Sequence, residues 1–222
     1  MASARSVNAV LRKFPEQLAQ IEDEYRRALR KKEISEDLLH DIARFIEDCQ
    51  RLFDWTATDL DRKSGSGKSR SPYYPLQPTP DKFAAAMKKD FPKMTKSVYR
   101  AMERHQPYQE GKEVLGHLHE LARVNKHQDF TPQTRTESHR IRASHASGGY
   151  VDWDPNAVRF GGGVSIFQSP VDPRTQRPEP SPSPQVTETI YVGWTFLSPP
   201  LQVMPTLDAL GTLIEDAVTD VR

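Results

Sequence analysis

SEDLLHDIARFIEDCQRLFDWTATDL, residues 35–60, decides the architecture of the first half of the chain. Ser35 is a good N-cap because its hydroxyl can accept from an amide that the first turn leaves unpaired. Glu36 and Asp37 stand at the positive end of the helix dipole. Leu38, Ile42, Phe45, Cys49, Leu52 and Phe53 recur at three- and four-residue steps, an apolar stripe that runs towards Leu60. Upstream, Phe14, Leu18, Ile21, Tyr25 and Leu29 carry a second stripe, in a helix from about Val7 or Pro15 to Lys32; Pro15 suits a first helical turn. Two such helices joined by a short polar turn predict an antiparallel hairpin.

Beyond the hairpin, KSGSGKSR (residues 63–70) reads as a mobile basic loop, and Tyr73-Tyr74-Pro75-Leu76 as an extended piece able to dock on helices. Thr79-Pro80-Asp81 starts a short helix that ends near Phe91-Pro92, and another runs from about Thr95 to Arg104. Gln106-Pro107-Tyr108 breaks it. A further helix spans Glu110 to about Lys126, with Val114, Leu115, Leu118, Leu121 and Ala122 inward. From Gln133 the period shortens to two. Residues 133–147, 150–153 and 158–167 read as strands, the last bent at Gly161-Gly162-Gly163. Residues 171–185 form a Pro-rich connection, too rich in proline for a central strand. Val186–Leu197 is the clearest strand, with Ile190, Val192, Trp194 and Phe196 on one face and Thr189, Tyr191 and Thr195 on the other. A closing helix at 205–221 presents Leu207, Leu210, Leu213, Ile214, Ala217 and Val218 to the sheet.

The expected fold class is therefore α+β. A helical bundle at 1–130 includes the loop and extended segment at 63–80. The β-rich region at 131–222 is a small antiparallel sheet covered by the C-terminal helix.

Composition excludes several function classes. The 222 residues carry a net charge of +1, so binding to nucleic acid or anionic lipid would need a local patch. Cys49 is the only cysteine, which rules out an intrachain disulfide and a zinc site with several thiolates. The first residues have no apolar core of signal-peptide length and no later stretch could span a bilayer, so a cytoplasmic protein without membrane contact is expected.

Gly65-Ser66-Gly67-Lys68-Ser69 imitates the end of a phosphate-binding loop. The motif needs glycine at position 62, where Arg62 stands, and a helix after the loop, where Ser71-Pro72 stands. His117 and His119, two apart on a helix, point about 200° apart and cannot share one ion. No metal and no cofactor is expected. Cys49 falls on the apolar stripe and reads as core.

One surface stretch carries chemistry. On the Glu110–Lys126 helix, Gly116, Glu120, Arg123 and His127 follow one another at steps of four, three and four, and so share a face. Glu120 and Arg123 are spaced to pair, and His127 lies at the negative end of the dipole. Arginine matches phosphate oxygens and histidine titrates near neutrality, which suits phosphodiester chemistry; a solvated face is the plainer reading.

Gln106-Pro107-Tyr108 together with LHELARVNKH (118–127) resembles a widespread bacterial family with a QPY element, an (N/D)KH signature, a helical N-terminal domain and a β-rich tail closed by a helix. The helical part is similar to HEPN domains, four- to five-helix units of prokaryotic toxins, defence systems and RNA-processing proteins. Many of these are metal-independent ribonucleases that act as dimers. The resemblance implies an HEPN-like protein that binds a partner or nucleic acid without catalysis, in stress or phage defence. It also implies a homodimer through the helical bundle and an RNA or protein partner.

Glu120, Asn125, Lys126 and Tyr108 would be the binding residues. The alternative is a ribonuclease. The catalytic HEPN pattern sets four to six residues between arginine and histidine. Arg123 and His127 have three between them; Arg100 and His105 fit, as do Arg140 and His145, although Arg140 falls in a predicted strand. Either His127 with Arg123 or His105 with Arg100 would then supply the acid–base and the phosphate ligand. A third reading is a small-molecule sensor with an aromatic pocket near Trp153, Trp194 and Tyr191.

Overall fold

The computed structural model of the chain describes residues 4–65, 72–127, 133–155, 157–180 and 185–221, and the side chains of all of these except 4–6, 125–127, 138–139 and 187–191. The chain divides into two compact units, Met1–Thr134 with Thr195–Arg222, and Arg135–Trp194.

The first unit is built on the predicted hairpin. Its opening helix is two pieces, α1 (Ala4–Leu11) and α2 (Phe14–Lys31). Pro15 has no amide to give the carbonyl four residues back, which accounts for the break at Arg12–Lys13. Lys32 closes α2 in the left-handed conformation (φ 60°), with its N–H on the carbonyls of Ala28 and Leu29. Ser35 Oγ then accepts the Leu38 amide at 3.2 Å and opens α3 (Glu36–Ser64). This helix is buried on more than one stripe: Ala43, Ile46 and Ala57 are inside together with the predicted Leu38, Ile42, Phe45, Cys49, Leu52, Phe53 and Leu60. The rest of the basic loop, residues 66–71, lies outside the described residues.

Thr79 caps α4 (Pro80–Asp90) as its sequence predicts, and Thr95, expected as the start of the next helix, is the cap of α5 (Lys96–Arg104). The expected Glu110–Lys126 helix differs. It starts as a turn through Gly111 (φ 76°), tightens into a 3₁₀ turn at Glu113–His117 and becomes α6 only at Leu118–His127. At three residues per turn the 3₁₀ segment rotates Gly116 away from the face that Glu120 and Arg123 share. Gly116 serves packing, since a Cβ there would stand 3.3 Å from Pro107 Cβ.

The closing helix, α7 (Val203–Asp220), was expected over the sheet; its principal neighbours are α3, the 3₁₀ turn, α2 and α5, and it groups with the helices. The apolar face is the predicted one, with Leu207, Leu210, Ile214, Ala217 and Val218 buried. What the pattern did not reveal is which surface it matches. At Gly211 a Cβ would approach Leu18 Cδ1 to 3.1 Å and Phe45 Cζ to 3.5 Å, so α7 lies close against the α2–α3 hairpin. No described helix is long and apolar enough to cross a membrane.

The second unit holds most of two three-stranded sheets. Strands β1 (Gln133–Ser144), β2 (Tyr150–Trp153) and β6 (Gln185–Phe196) are ordered β2-β1-β6, with β1 and β2 antiparallel and Ile141 opposite Trp153. The small sheet β3-β4-β5 comprises Ser165–Ile166, Ser169–Asp172 and Arg177–Pro178. The Pro-rich connection thus contributes strand after all. Pro178 sits on the edge strand, where no ladder amide is needed, and Asp172 organises the turn by accepting from the Arg174 amide and the Thr175 hydroxyl. Conversely, residues 158–164 are not strand. The Gln176 amide takes both main-chain groups of Phe160, at 2.6 and 3.3 Å, and Gly163 adopts φ 85°. Ile141, Ala143, Trp153, Ile166 and Val171 form this unit's core, with Trp153 Nε1 donating to the Gln176 carbonyl at 3.1 Å.

Gly211 sets a sharp test of the α7 packing. Gly211→Val is expected to lower stability by about 2 kcal/mol through overpacking against Leu18 and Phe45, read from the urea midpoint. An unchanged midpoint would mean that α7 does not approach so closely.

Candidate functional site

Ala101 and Met102 point α5 inward, so Lys96, Arg100 and Arg104, four residues apart, form an exposed stripe on the opposite side. At the helix end, His105 leaves helical geometry (φ −107°, ψ 34°) and its ring is buried, with 5% of the residue exposed. His105 Nε2 lies 2.9 Å from Asp220 Oδ2 in the last turn of α7, and Arg104 donates to the same oxygen through Nε and Nη2 at 3.2 and 2.7 Å. Lys112 Nζ approaches His105 Nδ1 to 3.4 Å and donates to the Arg104 carbonyl at 2.5 Å. With neutral imidazole, Nε2–H donates to the carboxylate and Nδ1 accepts from the ammonium, so both ring nitrogens are engaged.

Burial pushes the His105 pKa below its usual 6.5, and the Lys112 and Arg104 charges act in the same direction against the opposing pull of Asp220. Asp220 is held below the usual carboxylate range by the hydrogen bonds from Arg104 and His105. Tyr74, packed against Phe53 with ring centroids 4.4 Å apart, feels the same cluster: burial and then the Asp220 charge drive its hydroxyl pKa up.

The QPY element surrounding this cluster has an architectural part. Gln106 is wholly buried, accepts the Gln77 amide at 2.9 Å and donates to the Met102 carbonyl at 3.0 Å, which ties the extended segment before α4 to α5. Pro107 packs on Gly116. The Tyr108 hydroxyl is buried without a hydrogen-bond partner among the described residues, and its pKa is pushed up to about 12 by burial and then by Glu103 and Tyr99.

The other candidates are scattered. Glu120, half-buried, accepts from the Ser198 hydroxyl at 3.3 Å, and Arg123 is exposed with no ion-pair partner among the described residues. The side chains of Asn125, Lys126 and His127 lie outside the described residues. Arg100 and His105, although spaced as the HEPN pattern asks, border different grooves that meet at Asp220. Arg100 shares one with Ser97, Arg104 and Val221, and His105 shares the other with Glu215, Asp216 and Thr219. Trp153 is core, Trp194 is buried, and the Tyr191 side chain is outside the described residues.

Two features escaped the sequence reading. Asp220 is 115 residues from His105, and no spacing rule could have paired them. The basic stripe was legible but overlooked. Residues 82–104 hold seven lysines and arginines against two acids, a net +5 within a chain of +1. Lys82, Lys88, Lys89, Lys93, Lys96, Arg100 and Arg104 are all exposed, and Lys93 Nζ reaches the Gly65 carbonyl at 2.9 Å beside the basic loop.

Because the folded His105 pKa lies below 6.5, the unfolded chain binds the proton first as pH falls, so stability should drop on acidification through about pH 6.5. The Asp220 contribution is present above about pH 3.8 and is lost as pH falls through its lower folded value. Urea midpoints taken between about pH 7.5 and 5.5 should therefore fall for the wild type and flatten in His105→Gln; superimposable curves would remove His105 as the cause. No protein-family model matches the chain, and no curated protein or solved structure matches it.

Proposed function

We propose that the chain is a non-catalytic, HEPN-like protein that binds nucleic acid through the outer faces of α4 and α5. The observation that carries this is the concentration of positive charge in residues 82–104, all seven cations exposed, in an otherwise slightly acidic chain. Lys82, Lys88, Lys96 and Arg100 have no ion-pair partner among the described residues, so their charge is available to phosphates. Along α5, four residues advance by about 6 Å, which presents Lys96 and Arg100 one turn apart to a sugar–phosphate backbone. Such contacts supply affinity without reading sequence.

The same geometry supports binding over cleavage. The His105 groove is lined by Glu215, Asp216 and Asp220, which repel a phosphodiester, and the imidazole already serves Asp220 and Lys112. A role in stress or phage defence and a homodimer through the bundle rest on the resemblance to HEPN units, and are proposed on that ground.

Fluorescence anisotropy with labelled single-stranded RNA in chelator tests the reading. Salt-dependent binding is expected, and combined Lys88→Ala, Lys96→Ala and Arg100→Ala should weaken it by about tenfold or more and reduce the log–log salt slope by about 2. An unchanged slope, or no binding at low salt, would overturn it. Shortening of the probe that is lost in His105→Ala would replace it with a ribonuclease.

A further inference from the structure

Some charges of α2 and α3 are paired along the helix: Arg26 with Glu22, Arg51 with Asp48, and Arg62 and Lys63 with Asp59. Four charges outside these pairs face one another across a shared cavity. Between the two helices lies a cavity of about 230 Å³, with Lys13, Glu16, Gln17 and Gln20 on one wall, Asp41 and Arg44 on the other and Ile21 among its lining. None of these four charged side chains has an ion-pair partner among the described residues.

The charges are also ordered along the cavity. The Phe14 and Phe45 rings meet at 4.8 Å, which puts Lys13 and Arg44 near one level of the hairpin. From that level α2 and α3 run in opposite chain directions. Asp41 lies three residues before Arg44, about 4.5 Å along the axis, near the height of Glu16. One end is thus bordered by two cations and the next level by a carboxylate, with Glu16 beside it and the two amides between and beyond. A ligand with one sign of charge would gain two partners and be repelled by the other two; a small zwitterion satisfies both sets. The volume is below the roughly 300 Å³ at which pockets for drug-sized ligands begin, and suits a molecule of few non-hydrogen atoms.

We propose that this cavity binds a free α-amino acid, its carboxylate between Lys13 and Arg44 and its ammonium on Asp41 and Glu16, with Gln17 and Gln20 taking the remaining hydrogen bonds. The site is independent of the basic face of α4 and α5, and neither reading requires the other.

The test is isothermal titration of the full chain with each of the common free α-amino acids, with acetate and methylammonium as carriers of one charge each. At least one amino acid is expected to saturate and to raise the melting temperature with concentration. Acetate and methylammonium should bind at least about tenfold more weakly. Asp41→Asn and Arg44→Gln should each cost about tenfold or more, with circular dichroism of the ligand-free variants unchanged, while Lys96→Ala with Arg100→Ala leaves the affinity as it was. No saturable heat with any amino acid up to about 10 mM, or affinity retained in both Asp41→Asn and Arg44→Gln, would overturn the proposal.

Discussion

The helical unit depends on the burial of α3. A helix that hides one stripe can lie at a surface, but Ile46 and Ala57, outside that stripe, are as deeply enclosed as Leu38, Ile42 and Leu52, so α3 needs neighbours on several sides. Helix α2 supplies one, α6 another and α7 a third. Each large apolar side chain so enclosed contributes about 1.5–3 kcal/mol, enough together to offset the entropy of ordering the chain. The approach of α7 is permitted by one residue, Gly211, whose missing side chain leaves room for Leu18 and Phe45. Cys49 is a consequence of the same enclosure: burial raises its thiol pKa well above the usual value, so it packs as a small apolar group.

Around this frame, polar groups close the ends of helices. Asp220 gathers Arg104 and His105, Lys112 covers the far side of the imidazole, and Gln106 fastens the segment that precedes α4. Together these interactions join the end of α5 to the end of α7 and to the chain between α3 and α4. Lys82, Lys88, Lys96 and Arg100, which take no part in this, stand exposed on α4 and α5.

Local signals in the sequence were read well because they have local causes. Ser35 and Thr79 cap the helices they were expected to open, since a hydroxyl three residues before a free amide needs no tertiary help. The apolar faces of α3 and α7 and the α+β class were legible for the same reason: periodicity reports which side is buried. It does not report against what, and the closing helix was therefore set on the sheet when its main partner is α3. The 3₁₀ turn at Glu113–His117 escaped because Gly111 and the Pro107–Gly116 contact, neither visible in periodicity, override the helical pattern. At the candidate site, His105 could be named but not its partners, because Asp220 and Lys112 reach it only through the folded chain. The basic row of α5 needed no structure at all, only a count of charge by segment in place of a count over the whole chain.

The 60-residue unit Arg135–Trp194 interrupts the helical unit between α6 and α7. It enters through β1 and leaves through β6, which are neighbouring strands, and the Thr136 hydroxyl bonds the Gly193 carbonyl at 3.3 Å. Its two ends are thus held side by side by its own sheet, as in insertions that a host domain tolerates. To α6 and α7, which flank it in sequence, the whole segment is topologically a loop whose closure has already been made. During synthesis α3 must wait for this stretch to emerge before α7 can cover it. Prompt pairing of β1 with β6 would shorten the effective tether between α6 and α7, and with it the time that apolar surface stands open to aggregation.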